Sequence, residues 1–261
     1  MQKDRKKVGK NKYRRRRTIW GLIATITLVA FVLANPASWQ MVYFSDITDT
    51  FRSWFSTDSN TAASASENSD NTLAIAVLEK LEIKGRAPKT GYSRDQFYDT
   101  WPIEKGCNLR QRIIKRDFGE TAVLDSDNCT VISGKFFEPY NGVEMEYKQK
   151  SEISKGIQID HIVALSDAWQ KGAQYKSKDV RYNIATDPLN LIAADASANM
   201  QKSDGDAATW LPKNKSFRCQ YIARQISVKY KYGLWVSSSE KNAMKRVLDT
   251  CPNEPTVGIS I

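Results

Sequence analysis

Apolar positions recur along the chain with two periods, about 2 and about 3.6 residues, which indicates a mixture of strands and helices. Runs of strand-forming residues predict four strands, at 131–137, 144–148, 157–162 and 189–193. The turn-forming residues 139–142 predict a hairpin between the first two strands. Helical spacing predicts helices at 72–81, 165–174, 177–185, 196–202 and 217–232, and another after the capping box at 237–240. The fold class is therefore predicted to be α+β.

The longest apolar run lies near the N-terminus. Residues 18–34 form 17 consecutive uncharged residues directly after four arginines, Arg14 to Arg17. At the helical rise this run spans about 25 Å, just short of the hydrocarbon core of a bilayer. The prediction is a basic cytoplasmic segment at 1–17, followed at 18–40 by a single N-terminal transmembrane helix or a cleaved signal peptide. The protein is therefore expected in the cell membrane, single-pass with its C-terminal domain outside, or secreted if the segment is cleaved.

A polar stretch separates this segment from the rest of the chain. Residues 56–71 are rich in Ser, Asn, Ala and Asp and contain no aromatic or large aliphatic residue. Such a stretch cannot bury enough apolar surface to offset the entropy of ordering it. We therefore predict a flexible linker at 41–71 and one folded domain at 72–261.

The formal charge of +10 is distributed unevenly. Residues 1–17 hold ten Lys or Arg and one acid, so the remaining 244 residues carry 29 bases against 28 acids. This excludes a chain-wide basic nucleic-acid-binding protein, because any basic patch must be local. The clearest local excess lies at 201–246, with ten bases and three acids. This excess indicates either a surface that follows a phosphate backbone or a solvated helix face.

All four cysteines lie in the predicted exported part: Cys107, Cys129, Cys219 and Cys251. An even number of cysteines outside the cytoplasm favours disulfides. Proximity in sequence favours pairing 107 with 129 and 219 with 251. A zinc site is the weaker alternative, because no Cys-x-x-Cys pair is present.

The chain has one histidine, His161, preceded by Asp160. A single histidine excludes the HExxH zinc protease motif and a zinc site of several histidines. The sequence also lacks a Gly-x-Ser-x-Gly elbow, a P-loop and a G-x-G-x-x-G motif. Imidazole can accept a proton near neutral pH, and a carboxylate is a ligand for hard divalent cations. On its own the pair is also compatible with a structural histidine in a half-buried strand.

Two further segments extend this pattern. Asn190-Leu191 follows Asp187-Pro188, and Asn199 lies three residues before Lys202 on a predicted helix. Together these segments resemble the HNH nucleases of the ββα-metal superfamily. That family has Asp-His near a strand end, Asn-Leu at the start of a second strand, and His or Asn three residues before Lys. The gap of 29 residues from His161 to Asn190 is interpreted as a helical insertion between the two strands.

The resemblance extends beyond the core motif. Residues 84–94, 106–110 and 206–212, together with Trp101 and Cys219, are similar to a family of exported actinobacterial HNH-type proteins. The similarity covers about residues 84–251. It implies a ββα-metal (HNH) core with a helical insertion between its strands and with C-terminal helices.

The family mechanism implies a role for each matched residue. His161 would be the general base that deprotonates the attacking water, and Asn190 would orient the His161 loop. Asp160 and Asn199 would bind a divalent metal, Mg²⁺ before Mn²⁺ or Ca²⁺. Alternatively, Asn190 is a plain turn residue. Asp204 and Asp206 are expected to be loop or helix-end residues.

Four basic residues are candidates for binding nucleic acid: Lys202, Lys213, Arg218 and Arg110. Lys202 could instead pack structurally, and Arg110 could form a structural ion pair.

The resemblance implies an extracytoplasmic, metal-dependent endonuclease that hydrolyses phosphodiester bonds of nucleic acid, DNA before RNA, with little sequence specificity. The membrane is an expected partner through the N-terminal helix, and the sequence indicates no protein partner. Two alternatives stay open. One is a non-catalytic cell-surface protein for nucleic-acid binding or adhesion, and the other is a cell-wall hydrolase that uses the lone histidine.

Overall fold

The computed structural model describes residues 73–258. The predicted basic segment, transmembrane helix or signal peptide, and linker lie outside the described residues. Among residues 73–258, no helix is long and apolar enough to cross a membrane.

The described part is α+β, as predicted, and the strands are short except for one hairpin. They are β1 Ile103–Glu104, β2 Cys107–Asn108, β3 Val123–Leu124, β4 Val131–Glu138, β5 Val143–Tyr147, β6 Ile157–His161 and β7 Leu191–Asp195. The helices are α1 Ala74–Lys80, α2 Leu109–Phe118, α3 Lys150–Gly156, α4 Leu165–Gln170, α5 Lys178–Thr186, α6 Ala196–Lys202, α7 Arg218–Lys231 and α8 Ser238–Leu248.

Strands β6 and β7 form an antiparallel pair that leads directly into helix α6. Asp160 pairs with Ile192 and His161 with Leu191. Helices α4 and α5 lie between the two strands in sequence, where a helical insertion is expected. Strand β7 begins two residues later than predicted, because Pro188–Asn190 form a 3₁₀ turn. Helix α4 ends at Gln170 rather than at 174, and Gly172 follows with a positive φ of 117°.

A second antiparallel sheet places the tip of the β4–β5 hairpin close to β6. Strands β3, β4 and β5 form one sheet, and the hairpin tip contains Gly142 with a φ of 73°. A side chain at Gly142 would meet the side chain of Asn214 at 2.9 Å. Asn214 donates hydrogen bonds to the carbonyls of Pro139 and Tyr140, which anchors the tip. Tyr140 is thereby held in the core, 1% exposed.

The buried apolar residues form three clusters around these elements. One lies among α1, α6, α7 and α8, and a second between α2, α3 and strands β4 to β7. A third lies under the insertion, around Phe97, Trp169 and Ile184. The end of β6 and the start of β7 lie where these clusters meet, so the loop after His161 is supported from several sides.

Candidate active site

A cavity of about 280 Å³ opens at the end of β6. Asp160 and His161 line it from the strand, and Asn199 lines it from α6. Lys89 and Arg94 come from the segment before the first strand, and Asp204 follows α6. We call this the site cavity. It brings together three of the four residues for which the resemblance implies catalysis or metal binding.

The imidazole of His161 is held in one tautomer. Its Nε2 lies 3.0 Å from the carbonyl oxygen of Ala185, near the end of α5, and a carbonyl can only accept a hydrogen bond. The proton therefore sits on Nε2, and Nδ1 is left as the nitrogen that can accept a proton. The ring stacks on Trp101, with centroids 6.1 Å apart. Burial lowers the pKa of His161 to about 3, and the charge of Arg94 adds to this effect.

Asp160 is buried, and each of its carboxylate oxygens has one donor. Tyr140 donates its hydroxyl to Oδ2 at 2.5 Å, and Lys202 donates from Nζ to Oδ1 at 3.0 Å. Burial raises the pKa of Tyr140 well above its ordinary value, so the hydroxyl keeps its proton. Because a carboxylate oxygen can accept two bonds, each oxygen retains one free lone pair.

Asn199 presents an amide oxygen at the same cavity. Its Nδ2 donates to Oε1 of Gln158 at 2.8 Å, which orients the amide and leaves Oδ1 as the free acceptor. Helix α6 begins at Ala196 because the side chain of Asp195 accepts a hydrogen bond from the backbone of Ala198. This cap fixes the start of the helix and hence the position of Asn199 one turn later.

Asn190 joins the two ends of the insertion. Its Oδ1 accepts from the backbone nitrogen of Val163 at 2.8 Å, and its Nδ2 donates to the carbonyl of Ile184 at 2.9 Å. The residue is fully buried and does not line the site cavity. These bonds tie the loop that follows His161 to the end of α5, and a part for Asn190 in catalysis stays a prediction.

Two cations and a carboxylate complete the wall of the cavity. Arg94 donates from Nε and Nη2 to the hydroxyl of Tyr98, at 3.1 and 2.8 Å, which leaves Nη1 available. Lys89 lies 3.0 Å from Asp204, which also accepts from Ser166. Hydrogen bonding from Lys89 lowers the pKa of Asp204 despite its partial burial. Asp204 is therefore an ionised, paired loop residue, consistent with the sequence expectation.

The structure corrects the role of Lys202. It is 1% exposed, and besides Asp160 it contacts the carbonyl of His161 at 2.8 Å. A buried ammonium with two internal acceptors cannot follow a phosphate backbone, so its role is the structural one left open by the sequence.

The other three basic candidates lie away from the site cavity. Arg110 donates to the carbonyl of Ile157 at 3.0 Å, so it supports β6 through a backbone contact rather than the expected ion pair. Lys213 is exposed, and Arg218 lines a different cavity.

Lys89, Arg94 and Tyr140 were missed by the sequence analysis. The first two lie in the segment 84–94, which carries part of the wider resemblance. The resemblance therefore pointed to the segment but implied no function for either residue. Tyr140 gave no signal, because a tyrosine at a hairpin tip is ordinary turn composition. Its contact with Asp160 joins residues 20 positions apart.

Both disulfides form as sequence proximity favours. Cys107 pairs with Cys129 and Cys219 with Cys251. Among residues 73–258, the one group of three metal-ligating atoms of His, Cys, Asp or Glu contains Cys219 and Cys251 with Glu254. These two thiols are consumed by their disulfide, so the zinc alternative is wrong for this pair.

Comparisons with known proteins agree with this arrangement. The family described as GmrSD restriction endonucleases, C-terminal domain, matches residues 109–247, a range that includes β6, β7 and α6. An uncharacterized secreted protein of Arthroderma benhamiae is 35% identical over 182 residues, which is 69% of this chain and 85% of the relative. No solved structure matches the chain. Neither match addresses an actinobacterial branch. The chain therefore belongs to the family of GmrSD restriction endonuclease C-terminal domains, an HNH-type nuclease family.

Proposed function

We propose that the protein is a metal-dependent endonuclease that hydrolyses phosphodiester bonds of DNA outside the cytoplasm, with little sequence specificity. One observation carries the proposal: the hydrogen bond from His161 Nε2 to Ala185 makes Nδ1 the proton acceptor of a residue that lines the site cavity. In the same cavity, Asp160, Asn199 and Arg94 supply a carboxylate, an amide oxygen and a guanidinium. Such groups can hold a divalent cation and neutralise charge on a phosphate, which supports metal-assisted phosphodiester hydrolysis.

The residues present fit a hard divalent cation. Asp160 keeps a free lone pair on each oxygen, and Asn199 keeps Oδ1 free because its nitrogen is bonded to Gln158. Two oxygen donors leave most positions to water and phosphate, as Mg²⁺ prefers. When bound, the cation would supply positive charge to the phosphate and to the leaving 3′ oxygen.

The proton transfer would use a residue of the chain itself, His161. Nδ1 of His161 would accept a proton from water as the water oxygen bonds to phosphorus and the bond to the 3′ oxygen breaks. Ala185 and the Trp101 ring hold the imidazole in place for this step. The free Nη1 of Arg94 would neutralise a non-bridging phosphate oxygen, while Tyr98 holds the rest of the guanidinium.

An extracytoplasmic location is supported by two observations. Both disulfides require an oxidising compartment, and the relative from Arthroderma benhamiae is described as secreted. The sequence has no motif of the kind that reads base edges, which supports weak sequence specificity.

The test uses the oxidised full-length chain with plasmid DNA and with RNA, in Mg²⁺, Mn²⁺ or EDTA. We expect metal-dependent cleavage of DNA, and a loss of at least about 100-fold in His161→Ala with circular dichroism unchanged. Asn199→Ala should weaken Mn²⁺ binding at least about tenfold in calorimetry.

Ser197→Ala is the matched control, because this exposed residue lies on the same helix and does not line the site cavity. Cleavage that persists in folded His161→Ala would refute the base. Activity undiminished by EDTA would refute the metal.

A further inference from the structure

A second cavity, of about 540 Å³, lies beside the segment that follows α6. Its walls come from Thr209 and Trp210, from the start of α7 and from the end of α8. Three cations line it: Lys215, Arg218 and Arg246. We call it the basic cleft. It is separate from the site cavity, with which it shares no lining residue.

Within the described part of the chain, the cations of the basic cleft have no protein counter-charge. No Asp or Glu lines the cleft, and none of the three cations forms an ion pair with a residue in 73–258. Arg218 donates from Nε to the carbonyl of Pro212 at 2.7 Å, which fixes the guanidinium and leaves both Nη groups free. Three uncompensated cations around one concavity favour an anion of high charge density.

A disulfide holds the two helical walls together. Cys219 follows Arg218 at the start of α7, and Cys251 follows Thr250 beyond the end of α8. Because this covalent link joins the walls next to lining residues, the cations are held close to one another before a ligand arrives. A preorganised site spends less free energy on ordering side chains when it binds.

A third cavity, of about 460 Å³, lies between the basic cleft and the site cavity. It shares Ala208, Thr209 and Trp210 with the basic cleft and Asp204 with the site cavity. Both acids on its wall are neutralised, since Asp206 is paired with Arg86 and Asp204 with Lys89. The three cavities therefore adjoin along residues 203–211, and both carboxylates in this segment are paired.

We infer that the basic cleft binds a backbone phosphate of the DNA substrate several nucleotides away from the bond that is cleaved. The inference rests on the proposed function for the identity of the polymer. It deepens that function by giving the enzyme a second contact, so that long strands bind more tightly than short ones. The third cavity adjoins both the basic cleft and the site cavity, which favours DNA over an anionic membrane as the source of the phosphate.

The test removes the three charges in the full-length protein, as Lys215→Gln, Arg218→Gln and Arg246→Gln together. The matched control removes three exposed lysines that line none of the cavities, as Lys105→Gln, Lys148→Gln and Lys178→Gln. Binding of labelled oligonucleotides is measured in EDTA, so that it does not depend on turnover. Hydrolysis of bis(p-nitrophenyl) phosphate, which is too small to reach the cleft, is measured with metal.

We expect the cleft variant to bind a long oligonucleotide at least about tenfold more weakly, and the slope of log K against log salt to fall in magnitude by about 1, because one phosphate contact is lost. Dinucleotide binding and hydrolysis of the small diester should be unchanged, as should all properties of the control variant. Unchanged long-strand binding, or an equal loss for dinucleotide and long strand, would overturn the inference. The inference would also be overturned if the cleft variant lost binding to phosphatidylglycerol vesicles but kept its binding to DNA. That result would assign the cleft to a membrane.

Failure of the proposed function is distinguishable, because it would appear as an absence of cleavage by the unmodified protein. The binding comparison would still decide the role of the cleft.

Discussion

At the scale of single residues, Asp160 shows how a buried carboxylate is paired and oriented. Lys202 supplies its counter-charge and Tyr140 a neutral donor, one to each oxygen. An unpaired carboxylate in this position would cost several kcal/mol in desolvation. The Asn-x-x-Lys spacing on α6 therefore serves two purposes, because Asn199 faces the cavity while Lys202 reaches back to Asp160.

The hydroxyl of Tyr140 is expected to matter more to activity than to stability. In Tyr140→Phe the carboxylate loses one orienting donor, which should lower metal affinity and turnover by about 10- to 100-fold. The free energy of unfolding should fall by about 1–2 kcal/mol. Tyr221→Phe is the control, because this tyrosine is equally buried and its hydroxyl bonds to Gln225 instead. Equal effects of the two substitutions on Mn²⁺ affinity would contradict the role of Tyr140.

The site residues that could be predicted from the sequence are those that lie close together in the chain. Asp160 and His161 are adjacent, and Asn199 and Lys202 share a helix, so a short motif contains them. Arg94 and Tyr140 reach the site from other segments through folding, and no spacing rule connects them to His161. For Lys202 the sequence leaves phosphate binding and structural packing both open, and the two internal acceptors that hold its ammonium group decide for packing.

At the scale of elements, the sequence pattern predicted those strands and helices that have a clear hydrophobic period or a capping residue. The hairpin 131–148, strand β6 and helices α6 to α8 lie close to where alternation and capping placed them. Helix α2 was not assigned, because its ten residues include three arginines, a lysine and an aspartate. Its apolar residues are recognisable as core residues only in the folded structure, where they pack against β4 and β7. The start of β7 differs from the prediction because Asp187 and Pro188 begin a 3₁₀ turn, in which the Asp187 side chain accepts from the backbone nitrogen of Leu189.

The disulfide that joins α7 to α8 should affect binding as well as stability. Cys219→Ser with Cys251→Ser opens a loop with a sequence separation of 32 residues, and should cost about 3–4 kcal/mol of unfolding free energy. Cys107→Ser with Cys129→Ser, with a separation of 22, should cost about 3 kcal/mol and serves as the control. Only the first pair should weaken long-strand DNA binding, measured by fluorescence anisotropy. Equal weakening by both pairs would mean that the link does not organise the basic cleft.

At the scale of the whole molecule, a buried cluster of charges connects the insertion to the C-terminal helices. Lys171 contacts Asp167, Asp206 and Glu240 at 2.6–2.8 Å, and Lys229 contacts Asp167 and Glu240 at 3.0–3.1 Å. With the pairing of Arg86 to Asp167 and Asp206, the cluster holds three acids and three bases. Loss of one partner would leave a buried charge uncompensated.

This cluster predicts a loss of stability in acid. Burial opposes the ionisation of Asp206, but Lys171 and Arg86 outweigh it and hold its pKa well below the ordinary 3.8. A carboxyl with a depressed pKa stabilises the fold above its unfolded pKa, and that contribution is lost as the pH falls towards its folded pKa. The free energy of unfolding should therefore fall from about pH 5 towards pH 2.

Urea denaturation across this pH range tests the prediction. Asp206→Asn should be about 2–3 kcal/mol less stable at pH 7 and should lose less stability on acidification than the unmodified protein. Glu146→Gln is the control, because it removes an exposed carboxylate that forms no ion pair with another residue of 73–258. An acid profile of Asp206→Asn that is parallel to that of the unmodified protein would show that Asp206 is not the sensor.

The single histidine has a practical consequence for spectroscopy. In most proteins the imidazole signals overlap and must be assigned one by one, but here one ring gives all of them. A nitrogen-15 spectrum of the full-length chain would thus need no assignment to show which ring nitrogen is protonated. Titrating a cation or an oligonucleotide into the same sample would report binding at the site through the signals of this one ring, without substitution or dye.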